Sequence, residues 1–178
     1  MKPHSWTLLL SLVAATAVTA SAPSPYVDQQ TREIAALSAE QVQSLLAGKG
    51  MGYAKAAELN AYPGPAHVLE LAAELQLSAD QRAQTQAIFE RMDTAAKALG
   101  AELVAAERAL DGAFRSQQIG AAKLQRLTTL LGRLQGELRN VHLHAHLEQT
   151  EILSQQQIDS YVRLRGYAHG QTGHEGHH

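Results

Sequence analysis

Histidines are the residues of this chain whose type and spacing could do chemistry. His142, His144 and His146 alternate along one predicted helix. His142 and His146 are four residues apart, so their rings project from the same side of a helix. Two imidazoles so placed can reach one Zn, Ni, Cu or Co ion. A third ligand would have to come from a facing element, and the candidates are His67, Glu70, Glu74 and Glu90.

The histidines of the helix also have an interpretation without a metal. They would then flank the apolar seam or lie at an interface, either hydrogen-bonded or solvated.

The tail adds four more metal-binding candidates, which are His169, His174, His177 and His178. They stand among glycines, and ordering such a chain opposes tight binding. The pattern therefore allows a metal but requires no cofactor.

No pattern typical of a catalytic site is present. The chain has no Gly-x-Ser-x-Gly elbow and no paired carboxylates. The glycine-rich segment 48–52 lacks the spacing and the Lys-Ser/Thr ending of a phosphate-binding loop. We therefore expect a protein that is not an enzyme.

Composition favours an all-α fold. Of 178 residues, 45% are apolar but only 4% are aromatic, so the core must be built from small and medium side chains such as Ala and Leu. The formal charge of −2 shows no basic surplus, which argues against a nucleic-acid partner. The absence of cysteine excludes disulfides, thiolate metal ligands and Cys nucleophiles.

The N-terminus is typical of a secretory signal peptide. Lys2 precedes an apolar run, 8–18, that is too short to span a bilayer. Small residues follow, and cleavage after Ala20 is favoured because Pro23 would directly follow the other available cut. We assign residues 1–20 to a cleaved signal peptide; an uncleaved membrane anchor is the alternative.

A Leu-Ser-x-x-Gln motif occurs three times, at 37–41, 77–81 and 153–157. In each copy the Ser hydroxyl can accept from the free backbone N–H three residues on, and the Gln side chain can reach back to the Ser N–H. Each copy therefore predicts a helix start. The cap residues of the second and third copies are Leu77, Ser78, Gln81, Leu153, Ser154 and Gln157.

Two long helices are predicted to form an antiparallel hairpin. The first spans about 79–115 and carries one apolar stripe along 88–114. The second spans about 121–151, and its apolar residues recur every three or four positions along 124–145, which suits packing on the first. Gly100 and Gly112 are expected to weaken the first helix slightly, by about 1 kcal/mol each relative to Ala.

Short helices are expected to flank this hairpin on both sides, at about 38–48, 51–59 and 66–76 and in a closing helix that ends at Gly166. The predicted organisation is a signal peptide at 1–20, a lead-in with short helices at 21–63, a helical domain at 64–166 and a disordered His-rich tail at 167–178.

Leu143 and Leu147 neighbour each other on the second long helix, nearly opposite its apolar seam. A two-helix hairpin would leave both exposed. A short N-terminal helix, a second subunit or a captured chain could cover them. They are the candidate client- or partner-binding residues.

The three motifs resemble the repeated Leu-Thr-x-x-Gln motif of the Spy/CpxP superfamily of small bacterial periplasmic proteins. Ser78 and Ser154 replace Thr and keep its capping role. The resemblance covers about 64–166, and the stretch 60–69 is similar to a subgroup described as chaperone-like or heavy-metal-sensor-like. It implies a periplasmic, Spy/CpxP-like helical hairpin that forms a dimer.

The resemblance implies two functions. The first expectation is an ATP-independent chaperone or envelope-stress protein that holds unfolded envelope proteins. The alternative is a transition-metal-binding or metal-sensing protein that acts on a membrane-bound signalling partner, with His67, His142 and His146 as the implied ligands. A non-catalytic helical interaction module is the second alternative.

Overall fold

A computed structural model describes residues 22–167. Residues 22–30 belong to a unit of their own and form turns, one of them closed by the Val27 N–H donating to the Ser24 carbonyl at 3.1 Å. The second unit starts at Thr31 and carries all the features below. The signal peptide assigned to 1–20 and the tail histidines lie outside the described residues.

The predicted all-α fold is confirmed, because residues 22–167 form six α-helices and no β-strand. The helices are α1 (Ala39–Leu46), α2 (Lys55–Glu58), α3 (Pro65–Glu70), α4 (Ala79–Arg115), α5 (Ala121–Ile152) and α6 (Gln155–Leu164). None of the helices in this part of the chain is both long enough and apolar enough to cross a membrane.

The long hairpin is also confirmed. Helices α4 and α5 extend over about 55 and 48 Å, and a five-residue connection returns the chain antiparallel. Their shared core is apolar and includes Ala96, Leu103, Val104, Ala106, Leu131, Leu134 and Leu138. The segment before the hairpin adds Ile34 and Leu45 to the same core.

The predicted apolar stripes of α4 and α5 are each wrong at one end, where a residue expected to be buried is exposed. Phe114 is 53% exposed, and Ala113 is buried instead. Two successive steps of four residues, from Ala106 to Leu110 to Phe114, turn the stripe by about 80° on a helix of 3.6 residues per turn. Leu124, at the start of α5, is exposed as well.

Helix α1 packs directly on α4 at Gly100. A Cβ atom built on Gly100 would lie 2.1 Å from the Leu45 carbonyl oxygen, which is a backbone atom. The sequence-based expectation considered only helix propensity at Gly100, and the structure adds that the glycine makes room for α1. A Cβ on Gly112 would have no described atom within 4 Å.

All three Leu-Ser-x-x-Gln motifs form the predicted capping box. Each Ser hydroxyl accepts from the Gln backbone N–H, at 3.1, 3.1 and 3.3 Å in chain order. Each Gln side-chain oxygen accepts from the Ser backbone N–H, at 2.8, 3.0 and 2.9 Å. The helix starts at α1, α4 and α6 therefore follow from local sequence.

The second and third motifs also bind each other. Gln81 Nε2 donates to Gln157 Oε1 at 2.9 Å, and Gln157 Nε2 donates back to Gln81 Oε1 at 3.0 Å. Each Nε2 also donates to a backbone carbonyl. Gln81 donates to Ile152, and Gln157 donates to Leu75. This amide pair joins the start of α4 to the start of α6, beside a second apolar core that contains Val68, Leu75, Leu153, Ile158 and Tyr161.

Gln157→Ala is expected to cost about 2–3 kcal/mol of unfolding free energy. It leaves the part-buried Gln81 amide and the Leu75 carbonyl without their partner, and each such group costs about 1–3 kcal/mol. Gln41→Ala is the matched control, because Gln41 is exposed and does not pair with the side-chain amide of a distant glutamine. This substitution should lower the unfolding free energy by about 1 kcal/mol. Urea unfolding measures both, and equal costs would contradict a structural role for the amide pair.

Candidate functional site

A cleft of about 620 Å³ lies between α5, α4 and the segment that connects α1 to α3. Its lining includes side chains of the types that ligate metal ions, which are Met51, Glu58, His67, Met92, Asp93, His142 and His146. The structure thus places the three histidines named as helix-site candidates on the walls of one cleft.

His142 is buried in this cleft and is 3% exposed. Its Nε2 has no hydrogen-bond partner among the described residues. The Tyr53 ring stacks on the imidazole, with ring centroids 6.2 Å apart and planes within 3°. Burial, together with the nearby His146, lowers the pKa of His142, so its imidazole is neutral at neutral pH.

His146 is held in one orientation by a backbone group. Its Nδ1–H donates to the Tyr62 carbonyl at 2.7 Å, which leaves the lone pair on Nε2. A Cβ atom on Gly64 would lie 2.7 Å from Cε1 and 2.9 Å from Nε2 of this ring, so the segment before α3 can pack against His146 only because residue 64 is a glycine. Metal-ligating histidines are commonly oriented by such a bond from the other ring nitrogen.

Glu58 of α2 fastens the end of α6 beside the cleft. Its Oε1 accepts from the Tyr161 hydroxyl at 2.6 Å, the Tyr167 hydroxyl at 3.1 Å and Arg165 Nε at 3.3 Å. Burial and the bond to Glu58 raise the pKa of Tyr161 well above its usual range. Glu58 Oε2 is buried without a hydrogen bond and lies 3.8 Å from His146 Nδ1.

Among the residues that the structure describes, the other candidate ligands are not grouped with His142 and His146 in a metal-holding arrangement. His67 Nδ1 donates to Glu70 Oε2 at 2.9 Å, so Glu70 serves as the partner of His67. Glu74 and Glu90 are exposed and do not line the cleft. His144 does not line the cleft, and its Nε2 lies 3.4 Å from Glu148 Oε1.

Leu143 and Leu147 differ in how far their side chains are buried. Leu143 is half-buried, whereas Leu147 is 50% exposed. The segment before α3 contacts the face of α5 that carries His142 and His146. The short N-terminal helix that was considered as a cover for Leu147 therefore does not bury it.

Two imidazoles alone do not complete a metal site. Within residues 22–167, no group of three or more His, Asp or Glu side chains is arranged to hold a metal ion.

Comparison with known proteins adds no assignment. No protein-family model, curated protein or solved structure matches the chain. The likeness to the Spy/CpxP superfamily therefore depends on the motifs quoted above. What the cleft does must be argued from its own residues.

His142 should make the stability of the metal-free protein depend on pH. Its folded-state pKa is lowered, so between that value and about 6.5 the unfolded chain binds more protons than the folded one. Unfolding free energy should therefore fall as the pH drops from 7.5 to 5. The fall should be shallower in His142→Leu but unchanged in the exposed control His144→Leu. Urea unfolding at several pH values tests this, and parallel curves for wild type and His142→Leu would contradict it.

Proposed function

We propose that this chain is an exported, helical metal-binding protein that holds a transition-metal ion through His142 and His146. The supporting observation is the orphaned, buried Nε2 of His142, whose residue lines the same cleft as His146, with the lone pair of His146 left on its own Nε2. A buried polar atom without a partner costs about 1–3 kcal/mol, and a bound ion would supply the partner.

The protein's residues prepare both nitrogens for this role. Burial keeps His142 neutral, and only a neutral imidazole binds a metal. The Tyr62 carbonyl fixes the His146 tautomer, and Gly64 carries no side chain that would clash with the ring. An ion bound here would link α5 to the facing segment between α1 and α3, which offers a route to report metal occupancy to a membrane partner.

The test is calorimetric titration of the full chain with Zn, Ni, Cu and Co. All proteins carry Asn at the four tail histidines, so that tail binding does not hide the cleft. His142→Leu and His146→Leu should each lower the affinity at least about tenfold, the size of change that even outer-shell substitutions cause.

His144→Leu is the matched control, because His144 lies between the two ligands but is exposed and should leave the affinity unchanged. Circular dichroism melts confirm that each variant is folded. Equal affinities in all four proteins would reject the cleft as a metal site.

A Spy/CpxP-type chaperone is the second candidate, favoured by the exposed Leu147 near the cleft. The test is suppression of aggregation of an unfolding client. Leu147→Asp should weaken suppression, whereas Leu124→Asp, exposed at the other end of the same helix, should not. No suppression by wild type at several-fold molar excess would reject this candidate.

The predicted homodimer, the periplasmic location and the lack of catalytic activity belong to the same proposal. Export would place the cleft in a compartment where metal supply varies. Sedimentation equilibrium tests the dimer, and cell fractionation tests the location.

A further inference from the structure

Methionine is rare in this chain but is concentrated at the cleft. The sequence holds three methionines, and one of them is Met1. The other two, Met51 and Met92, both line the cleft with His142 and His146. They come from separate elements, since Met51 follows α1 in a connecting segment and Met92 lies in α4. The thioether sulfurs of Met51 and Met92 are therefore candidate metal ligands of a different chemical type from the histidines.

Two carboxylates line the cleft, and each has one oxygen engaged by other residues. Asp93 Oδ2 accepts from Lys97 Nζ at 2.6 Å. Glu58 Oε1 accepts three bonds and is balanced by Arg165, while its Oε2 faces the His146 nitrogen that donates to Tyr62. Apart from these carboxylates, the donors of the cleft are neutral. They are the imidazoles of His142 and His146, two thioether sulfurs, and the imidazole of His67, which is not grouped with the other two histidines in a metal-holding arrangement.

A neutral set of imidazole and thioether donors discriminates between metal ions. Thioether sulfur is a soft ligand and selects Cu(I), whereas Ni and Co gain little from it and are bound well by imidazole and oxygen. Zn sites normally draw a third or fourth ligand from thiolate, imidazole or carboxylate. The chain has no cysteine, and among residues 22–167 no carboxylate is grouped with two histidines in an arrangement that could hold an ion.

We infer that the ion held by this cleft is Cu(I), bound by His142 and His146 together with the thioether of Met51, Met92 or both. This inference rests on the proposed metal-binding function and specifies its ion. It concerns binding alone and needs no change in oxidation state. Met51 is 44% exposed, so an ion can reach it from solvent.

The test is anaerobic competition for Cu(I) against bicinchoninate, with Ag(I) as a second soft monovalent probe. The full chain with Asn at the four tail histidines is compared with the same protein carrying Met51→Leu and Met92→Leu, which nearly conserve side-chain volume. The double variant should lose about 10- to 100-fold in Cu(I) and Ag(I) affinity. Its affinity for Zn(II), carried by the histidines, should change less than about threefold.

The outcomes separate the two claims. Unchanged Cu(I) affinity in the Met double variant, or Cu(I) binding no tighter than Zn(II) in the parent, overturns the Cu(I) inference while the histidine site stands. Unchanged affinity for every ion after His142→Leu and His146→Leu overturns the proposed function itself. Thermal melts of each protein show whether a lost affinity reflects a lost fold, and the single Met variants then replace the double one.

Discussion

Gly100→Ala is expected to destabilise the protein by about 3 kcal/mol, although alanine is the better helix former. The new Cβ would lie 2.1 Å from the Leu45 carbonyl oxygen and 2.7 Å from its carbon. Both are backbone atoms, so no side-chain rotation relieves the clash. Helix α1 must move away from α4, which exposes Leu45 and Ile34 of the main core.

Gly112→Ala is the matched control for this prediction. It changes the same residue type in the same helix, and the new Cβ meets no described atom within 4 Å. It should therefore stabilise the protein by about 0.5–1 kcal/mol. Urea unfolding gives both values, and hydrogen exchange of the α1 amides should rise in Gly100→Ala alone. If both alanines stabilise the protein, the docking of α1 described above is wrong.

Glu58→Ala should cost about 3 kcal/mol of unfolding free energy, because it removes the acceptor shared by three donors. The Glu58 side chain is only 14% exposed, and deleting one member of a buried charged network leaves the others unpaired. The Tyr161 hydroxyl is the most affected, since Tyr161 is fully buried and also accepts from the Gly64 N–H at 3.5 Å. Glu58→Gln keeps an acceptor oxygen and should cost less.

A double-mutant cycle isolates the pair. Tyr161→Phe removes the hydroxyl alone, and the coupling between Glu58→Ala and Tyr161→Phe should be about 1–3 kcal/mol. Glu70→Ala, which removes an exposed carboxylate bonded to His67, should change stability by less than about 0.5 kcal/mol. Additive effects of the Glu58 and Tyr161 substitutions would show that the hydrogen bond contributes nothing specific.

The sequence predicted helices most accurately where their signals are local. The motifs starting at Leu77 and Leu153 placed the starts of α4 and α6, because a capping box involves residues only three apart. The predicted 79–115 helix matches α4 at both ends. Where the signal was weaker, the prediction was too long: 51–59 contains only the four residues of α2.

The candidate site was predicted only in part. The spacing of His142 and His146 put both rings on one side of α5, and the structure places them in one cleft. Met51 and Met92 were not considered, because neither lies near the histidines in sequence. Glu58 had no signal either, since a single carboxylate in a short helix usually indicates a solvated face.

By itself the sequence determined the helices, their capping and the hairpin, because these depend on spacings of three or four residues and on one short turn. Only the tertiary structure decided which distant groups meet: Leu45 with Gly100, Glu58 with Tyr161, Tyr62 with His146 and Gln81 with Gln157. Each of these contacts joins segments more than 50 residues apart in the chain. Their geometry is set by how whole helices pack, which residue patterns within one helix do not encode.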